Sequence, residues 1–133
     1  MVIGGGPAGL VAARTAAIKG HDVSLYEASS HLGGQFRSAA YPIGKGELST
    51  TTSSYRANLE ALNVPVHLNS EVSEEMIQEI KPDAIILATG AKPMVPPIKG
   101  IDGKNVFTAE DMLLGKYDIS SIICMSIISR PCH

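Results

Sequence analysis

The 133-residue sequence contains no tryptophan, only two phenylalanines and only two cysteines. Cys124 and Cys132 lie in the last ten residues and form no C-x-x-C pattern. This spacing suits neither a disulfide framework nor a zinc site, so we expect free thiols in a reducing cytoplasm. The histidines, at positions 21, 31, 67 and 133, have no partner at ligand spacing, and we expect no metal site.

Excess positive charge and long apolar runs are also lacking. The formal net charge is −2 and the pI is about 6.0, which disfavours nucleic acid or an anionic membrane surface as a partner. The longest apolar stretch near the C-terminus, ISSIICMSII, has about half of the ~20 residues that a membrane span needs. No basic segment precedes the first apolar run, so we expect a cytoplasmic protein without a signal peptide or membrane anchor.

The sequence begins with a strand–loop–helix–strand pattern. Residues 1–3 form the start of a strand, three glycines follow, and Pro7 stands in the first turn of a helix, where its missing N–H costs nothing. Helix-forming residues run to Lys19, and Gly20 is placed to end the helix in a left-handed conformation. The alternation in HDVSLYE predicts a second, parallel strand.

Helices and strands continue to alternate along the chain, which predicts an α/β fold: a three-layer, Rossmann-like FAD/NAD(P)-binding domain with a parallel central sheet. The predicted segments are a glycine-bearing surface segment at 28–46, a helix at 47–62, a strand at 64–68, a helix capped by Ser73 that runs to about Ile80, and a buried apolar strand at 84–90. A proline-marked connector at 91–104, a candidate edge strand NVFT and a short helix AEDMLLG follow.

The first glycines have the spacing of a dinucleotide-binding fingerprint, Gly4-x-Gly6-x-x-Gly9. The first permits a tight turn, the second leaves room for a pyrophosphate, and the third lets the helix pack closely, while the helix N-terminus supplies N–H groups to the phosphates. Glu27 ends the next strand, close to the distance of about 20 residues expected for an acidic residue that binds both ribose hydroxyls. Its carboxylate disfavours NADP, whose 2′-phosphate it would repel. The alternative is an ordinary solvated charge at a strand end.

These residues resemble a known family. VIGGGPAGLVAA…GHDVSLYEASSHLGGQF is similar to the FAD-binding segment of the NADH:flavin oxidoreductases that include 2,4-dienoyl-CoA reductase, enoate reductase and trimethylamine dehydrogenase. LGGQ is the most specific element, and in that family its loop wraps the pyrophosphate and ribityl side of FAD. NSEV, ending at Val72, resembles the family's adenine-edge strand, and LATGAKP resembles its second flavin fingerprint.

The resemblance covers residues 1–116 and implies FAD as the cofactor. No catalytic side chain is predicted, because the reacting atom belongs to the cofactor. Gln35 and Thr89 also have plainer interpretations, as a loop residue and as the end of a strand. Together with the glycine spacing, the resemblance predicts these cofactor-binding residues: Gly4, Gly6, Pro7, Ala8, Gly9, Glu27, Gly34, Gln35, Val72, Ala88, Thr89 and Gly90.

The sequence also departs from that family. No second glycine fingerprint follows AEDMLLGK to bind NAD(P)H, and nothing corresponds to the family's catalytic barrel with FMN and a four-iron cluster. We therefore interpret the chain as a fragment, with an incomplete FAD-binding domain at 1–116 and a divergent tail at 117–133. The family's last flavin-contacting strand is missing too, so we expect an open sheet edge with Ile85, Ile86 and Leu87 partly exposed, unless the apolar tail covers it.

The leading functional hypothesis is FAD binding in an NAD(P)H-dependent flavin oxidoreductase. The resemblance implies an electron relay from NAD(P)H through FAD toward an enoyl-type substrate in the full-length enzyme. Two alternatives stay open: a module that binds only the ADP part of a nucleotide, and a remnant that neither folds stably nor binds. The resemblance implies neither catalysis by this chain alone nor any particular protein partner.

Overall fold

The computed structural model of the protein describes residues 1–42, 44–92 and 94–116. It contains two compact units, Met1–Gly90 and a second that begins at Ala91. The predicted tail at 117–133 lies outside the described residues, so the boundary predicted after residue 116 stays a prediction. All predicted cofactor-binding residues belong to the first unit.

A four-stranded parallel sheet forms the centre of the first unit. Val2 pairs with Leu25 on one side and with Ile86 on the other, and Leu25 pairs with Val66. Because the strands are parallel, their carboxyl ends share one edge of the sheet, where ligands bind in open α/β folds. This arrangement confirms the predicted Rossmann-like class. In the order β3-β2-β1-β4, the strands are β1 (Val2–Ile3), β2 (Leu25–Tyr26), β3 (Val66–His67) and β4 (Ile86–Leu87).

Helices connect the strands, as a parallel sheet requires. Gly20 follows the first helix with a φ of 88°, which confirms the predicted left-handed stop. The hydroxyl oxygen of Ser73 accepts a hydrogen bond from the Met76 N–H at 3.3 Å, which confirms the predicted cap of the last helix in this unit. The helices are α1 (Pro7–Ile18), α2 (Gln35–Ala39), α3 (Glu47–Ala61) and α4 (Glu74–Ile80).

The hydrophobic core lies where the sheet meets α1 and α3. Val2 and Leu25 from the strands pack with Leu10 of α1 and Leu59 of α3, and all four side chains are at most 1% exposed. Ala13 shares the buried face of α1 with Leu10 because the two residues stand one helical turn apart. α1 and α3 also pack against each other. This packing fixes the start of α1 next to the end of β1.

Three local features differ from the sequence-based expectations. The surface segment 28–46 contains the helix α2, whose five residues are too few to show a helical period. The segment that ends at Val72 is irregular rather than a strand, because Asn69 adopts a left-handed φ of 52°. NVFT is not a strand either, since the Val106 N–H closes a turn onto the Gly103 carbonyl at 2.9 Å.

The apolar segment 84–90 forms β4 at one edge of the sheet. Ile85, Ile86 and Leu87 are 39%, 41% and 74% exposed, so the fully buried strand suggested by their composition is wrong. Within the described residues β4 pairs with β1 alone. The partial exposure of these three residues is confirmed, whereas the predicted open edge also depends on the tail, which lies outside the described residues.

The second unit contains turns at 99–105 and the predicted short helix, α5 (Ala109–Leu113). Thr108 caps α5 by accepting the Asp111 N–H at 3.1 Å and by donating its hydroxyl to the Asp111 carboxylate at 2.7 Å. Lys116 holds the other carboxylate oxygen at 2.7 Å, and these hydrogen bonds, that of Lys116 first, lower the pKa of Asp111.

Among the described helices, none has the length and apolar character needed to cross a membrane. The predicted cytoplasmic location is a separate matter and stays a prediction.

Candidate dinucleotide site

The glycine loop, residues 4–9, leaves the carboxyl end of β1 and enters α1. Gly4 has a φ of 110°, a conformation that side chains rarely permit. A Cβ at Gly4 would fall on the backbone carbonyl of Ala88, just after β4. Gly9 is packed as closely, because its Cβ would overlap the carbonyl oxygen of Gly4. These two glycines allow β1, β4 and the start of α1 to meet.

Gly6 lies in open surroundings. It is the N-cap of α1, with φ −73° and ψ 179°, and a Cβ there would meet no atom within 4 Å. No side chain among the described residues caps this helix. The first N–H groups of α1 have no acceptor inside the helix, and they carry the positive end of its dipole. The open space at Gly6 therefore lies next to backbone N–H groups that no described side chain caps.

Glu27 follows β2 and reaches the glycine loop. Its Oε2 accepts a hydrogen bond from the Gly5 N–H at 2.6 Å, and its Oε1 accepts one from the Ser29 N–H at 2.8 Å. Partial burial raises the pKa of Glu27, but the hydrogen bonds from the backbone of Ser29 and Gly5 and from the Ser29 hydroxyl outweigh burial, so the pKa lies below the usual 4.5. Glu27 is thus an ionised, half-buried residue that holds the glycine loop by a hydrogen bond, which we call the brace. It is not the freely solvated charge of the alternative interpretation.

The loop before α2 lies against the glycine loop. Gly33 donates its N–H to the Gly5 carbonyl at 2.8 Å, and both Gly33 and Gly34 have positive φ, 109° and 48°. A Cβ on Gly34 would lie 3.1 Å from the Cα of Gly6. Gln35 begins α2 and is exposed. The LGGQ element therefore sits beside the open space at Gly6.

The chain after β4 borders the same region. Ala88 donates its N–H to the Ile3 carbonyl at 2.8 Å, which extends the β1–β4 pairing up to the glycine loop. Thr89 and Gly90 are exposed at this end of the sheet, and Gly90 has a φ of 75°. The ATG turn thus lies next to the first glycine of the loop.

Val72 is placed less directly than the other predicted residues. The Ser70 N–H donates to the Glu27 carbonyl at 2.9 Å, so the segment before Val72 runs beside the end of β2. Val72 itself is half-buried in irregular chain. Its contact with an adenine stays a prediction.

Three residues outside the predicted cofactor-binding set also form part of this site: Gly5, Ser29 and Gly33. Gly5 is buried, and a Cβ on it would come within 2.6 Å of the Leu32 side chain. The unbroken runs of glycine, GGG and GG, are the sequence signal that could have identified Gly5 and Gly33. Ser29 has no comparable sequence signal, because its hydrogen bond to Glu27 depends on the orientation of the Glu27 carboxylate.

Comparison with known proteins assigns the chain to a family. The family model of the pyridine nucleotide-disulphide oxidoreductases matches residues 1–120. The chain belongs to this family. A NADH oxidase of Thermoanaerobacter brockii is 44% identical over 118 residues, and a cinnamate reductase of Clostridium sporogenes is 38% identical over 119 residues. These matches cover 87% and 90% of this chain but 18% of each relative.

A solved structure shares the fold of this chain. The 2-naphthoyl-CoA reductase in complex with 2-naphthoyl-CoA superimposes with a TM-score of 0.83 at 36% identity, over 88% of this chain and 18% of that one. The predicted resemblance to flavin oxidoreductases is confirmed. The chain spans less than a fifth of the length of these relatives.

Proposed function

We propose that residues 1–90 hold the FAD of an NAD(P)H-dependent flavin oxidoreductase. In the longer enzyme, electrons would pass from NAD(P)H through this FAD toward an enoyl-type substrate. The observation that carries the proposal is the open space at Gly6, bordered by the uncapped start of α1 and by the carboxylate of Glu27.

The diphosphate of FAD fits the glycine loop. Because Gly6 has no side chain, and even a Cβ there would have no neighbour within 4 Å, phosphate oxygens can approach the backbone at this point. The N–H groups at the start of α1, among them those of Ala8 and Gly9, are free to donate to these oxygens, and Pro7 fixes the first turn without needing an acceptor of its own. Gly34 leaves the opposite side of this space unobstructed, since a side chain there would crowd Gly6.

The adenosine end fits Glu27. Each carboxylate oxygen accepts one backbone N–H, and the Ser29 hydroxyl can donate to the His31 carbonyl at 2.8 Å instead of to Glu27. The carboxylate can then accept both ribose hydroxyls and keep its hydrogen bond from Gly5. The ionised carboxylate would repel the 2′-phosphate of NADP, which favours a dinucleotide with a free ribose. Val72 is the candidate neighbour of the adenine.

The flavin end would lie toward Gln35 and the ATG turn. Gln35, Ala88, Thr89 and Gly90 stand at the same edge of the sheet as the glycine loop. FAD, when bound, supplies the hydride and electron transfer, while these residues position it and shape its surroundings. No side chain of this chain is proposed to be catalytic.

The relatives support a redox role in general terms, since those named above are an oxidase and two reductases. This chain matches 18% of each of them, so the electron donor, the acceptor and the substrate belong to the proposal. A module that binds ADP without redox turnover would use the same phosphate and ribose contacts. Titration with FAD and with ADP distinguishes this alternative from a flavin site.

The test is a titration of the purified chain with FAD and, separately, with ADP, followed by visible absorbance and calorimetry. The informative variant is Gly6→Ala, because its methyl group enters the open space and leaves folding intact. We expect FAD binding to weaken at least tenfold, since the charge-assisted hydrogen bonds lost at the phosphates are worth about 1.5–3 kcal/mol. Gly46→Ala is the control, because Gly46 also has free space but lies away from the loop, before α3.

Two outcomes would contradict the proposal. If Gly6→Ala binds FAD as tightly as the native chain does, the glycine loop is not the phosphate site. If ADP binds and FAD adds neither affinity nor a bound flavin spectrum, the chain is a nucleotide module and not a flavin site.

A further inference from the structure

A second pocket lies behind Leu32, the residue whose side chain approaches Gly5 of the glycine loop. Its volume is about 260 Å³, it is open to solvent, and it is bordered by the chain before α2, by α2 itself, by α3 and by the end of β3. We call it the arginine pocket after two of its lining side chains. The residues that matter for its chemistry are Leu32, Arg37, Thr52, Ser53, Arg56 and Leu68.

Positive charge dominates the arginine pocket. Arg37 and Arg56 both line it, and none of the lining residues is acidic. Within residues 1–42, 44–92 and 94–116, Arg37 has no ion-pair partner. Arg56 uses its Nε to contact Glu60 Oε1 at 3.0 Å, and a guanidinium has further N–H groups to offer. Two guanidinium groups around one small space repel each other, and an anion between them would remove that cost.

The other lining groups restrict what the rest of a ligand can be. The hydroxyls of Thr52 and Ser53 donate to the carbonyls of Leu48 and Ser49 at 3.2 and 3.1 Å, so toward the pocket they can only accept. A ligand that meets them must therefore carry its own donors, such as hydroxyl groups. Leu32 and Leu68 add apolar surface, against which the carbon skeleton of a small ligand can pack.

From these features we propose that the arginine pocket binds a hydroxylated phosphate monoester of sugar-phosphate size. The phosphate lies between Arg37 and Arg56, where paired N–H groups match its oxygens. The hydroxyls of the ligand donate to Thr52 and Ser53, and its carbon skeleton rests on Leu32 and Leu68. None of the residues that line this pocket belongs to the predicted cofactor-binding set, although the side chain of Leu32, which lines it, also approaches Gly5 of the glycine loop.

The test is calorimetric titration of the full chain with ribose 5-phosphate, inorganic phosphate and ribose, at constant ionic strength. The protein is first saturated with ADP, so that the start of α1 is not available to phosphate. We expect ribose 5-phosphate to bind more tightly than inorganic phosphate, and ribose not to bind. Arg37→Gln and Arg56→Gln should each weaken binding at least tenfold, as the loss of charge-assisted hydrogen bonds to a phosphate implies.

Lys19→Gln is the matched control, since it removes one positive charge at the C-terminal end of α1 from a residue that does not line the arginine pocket. It should leave the affinity unchanged within twofold. Both arginines are exposed, so the variants should keep the circular dichroism spectrum of the native chain. Equal weakening by Lys19→Gln, unchanged binding in Arg37→Gln, equal affinity for inorganic phosphate, or no binding at all would each overturn the proposal.

Discussion

Replacing Glu27 by glutamine should destabilise the chain even when no nucleotide is present. The carboxylate accepts the N–H groups of Gly5 and Ser29, one on each oxygen. A glutamine side chain offers one acceptor oxygen and one donor NH₂ group, so it can satisfy only one of these two N–H groups. Gly5 is buried and Ser29 is exposed, so the amide oxygen should turn to Gly5 and leave Ser29 to water.

The size of the effect follows from these two contacts. A hydrogen bond to a charged group contributes about 1.5–3 kcal/mol and a neutral one about 0.5–1.5 kcal/mol. Glu27 is half-buried, so water compensates part of the difference. We expect the free energy of unfolding of Glu27→Gln to be about 1–2 kcal/mol lower than that of the native chain at pH 7.

The same reasoning fixes the pH dependence. Because the folded-state pKa of Glu27 lies below its usual 4.5, the ionised carboxylate stabilises the fold fully above about pH 4.5. That contribution disappears as the pH falls through the lower folded-state pKa. The stability difference between the native chain and Glu27→Gln should therefore be constant from pH 7 to about 5 and should shrink in more acidic solution.

Urea unfolding followed by far-ultraviolet circular dichroism measures this difference, since the chain has no tryptophan to report by fluorescence. Glu60→Gln is the control: it removes an exposed pair with Arg56, which contributes about 0.5 kcal/mol or less. If Glu27→Gln costs no more than Glu60→Gln, or if the difference does not change with pH, the brace between Glu27 and the glycine loop is not a stabilising contact.

Substitutions at three further sites, Gly9, Ser73 and Leu87, test other parts of the fold by the same urea assay. Gly9→Ala should lower the free energy of unfolding by about 3 kcal/mol or more, because its methyl group overlaps the Gly4 carbonyl. The control Gly46→Ala, in free space with φ −57°, should raise it by about 0.5 kcal/mol. Equal effects would refute the close packing of Gly9. Ser73→Ala should cost about 1 kcal/mol and Ser73→Gly only a few tenths, and identical losses would argue against the cap of α4. Leu87→Lys should change the free energy of unfolding by less than about 0.5 kcal/mol and should reduce self-association measured by light scattering. Unchanged self-association would show that the β4 edge does not mediate it.

Sequence patterns predicted best what is decided locally. The start of α1 at Pro7, its stop at Gly20 and the cap of α4 by Ser73 depend on neighbouring residues alone, and all three are confirmed. The same patterns missed α2, whose five residues show no period. The strand at Val72, which the family resemblance implied, is absent because the left-handed Asn69 breaks the extended chain.

Features that depend on distant segments were harder to predict. The composition of residues 84–90 is that of a buried strand, but position in the sheet, not composition, decides exposure, and β4 lies at an edge. The spacing of Glu27 to the glycines predicts that it binds ribose hydroxyls, and this contact stays a prediction. Its bond to Gly5 could not be foreseen, because that bond depends on how β1 and β2 lie side by side.

The contact between Gly4 and Ala88 also sets the order in which the site can form. Gly4 leaves the ribosome well before Ala88, which follows β4 and whose carbonyl packs against Gly4. At about 5–20 residues per second, several seconds separate the two events. During that interval the glycine loop lacks its contact with the chain after β4, so the site is incomplete and a nucleotide cannot assist the early steps of folding. The cofactor proposed to bind at this loop would therefore bind late in the folding of this chain.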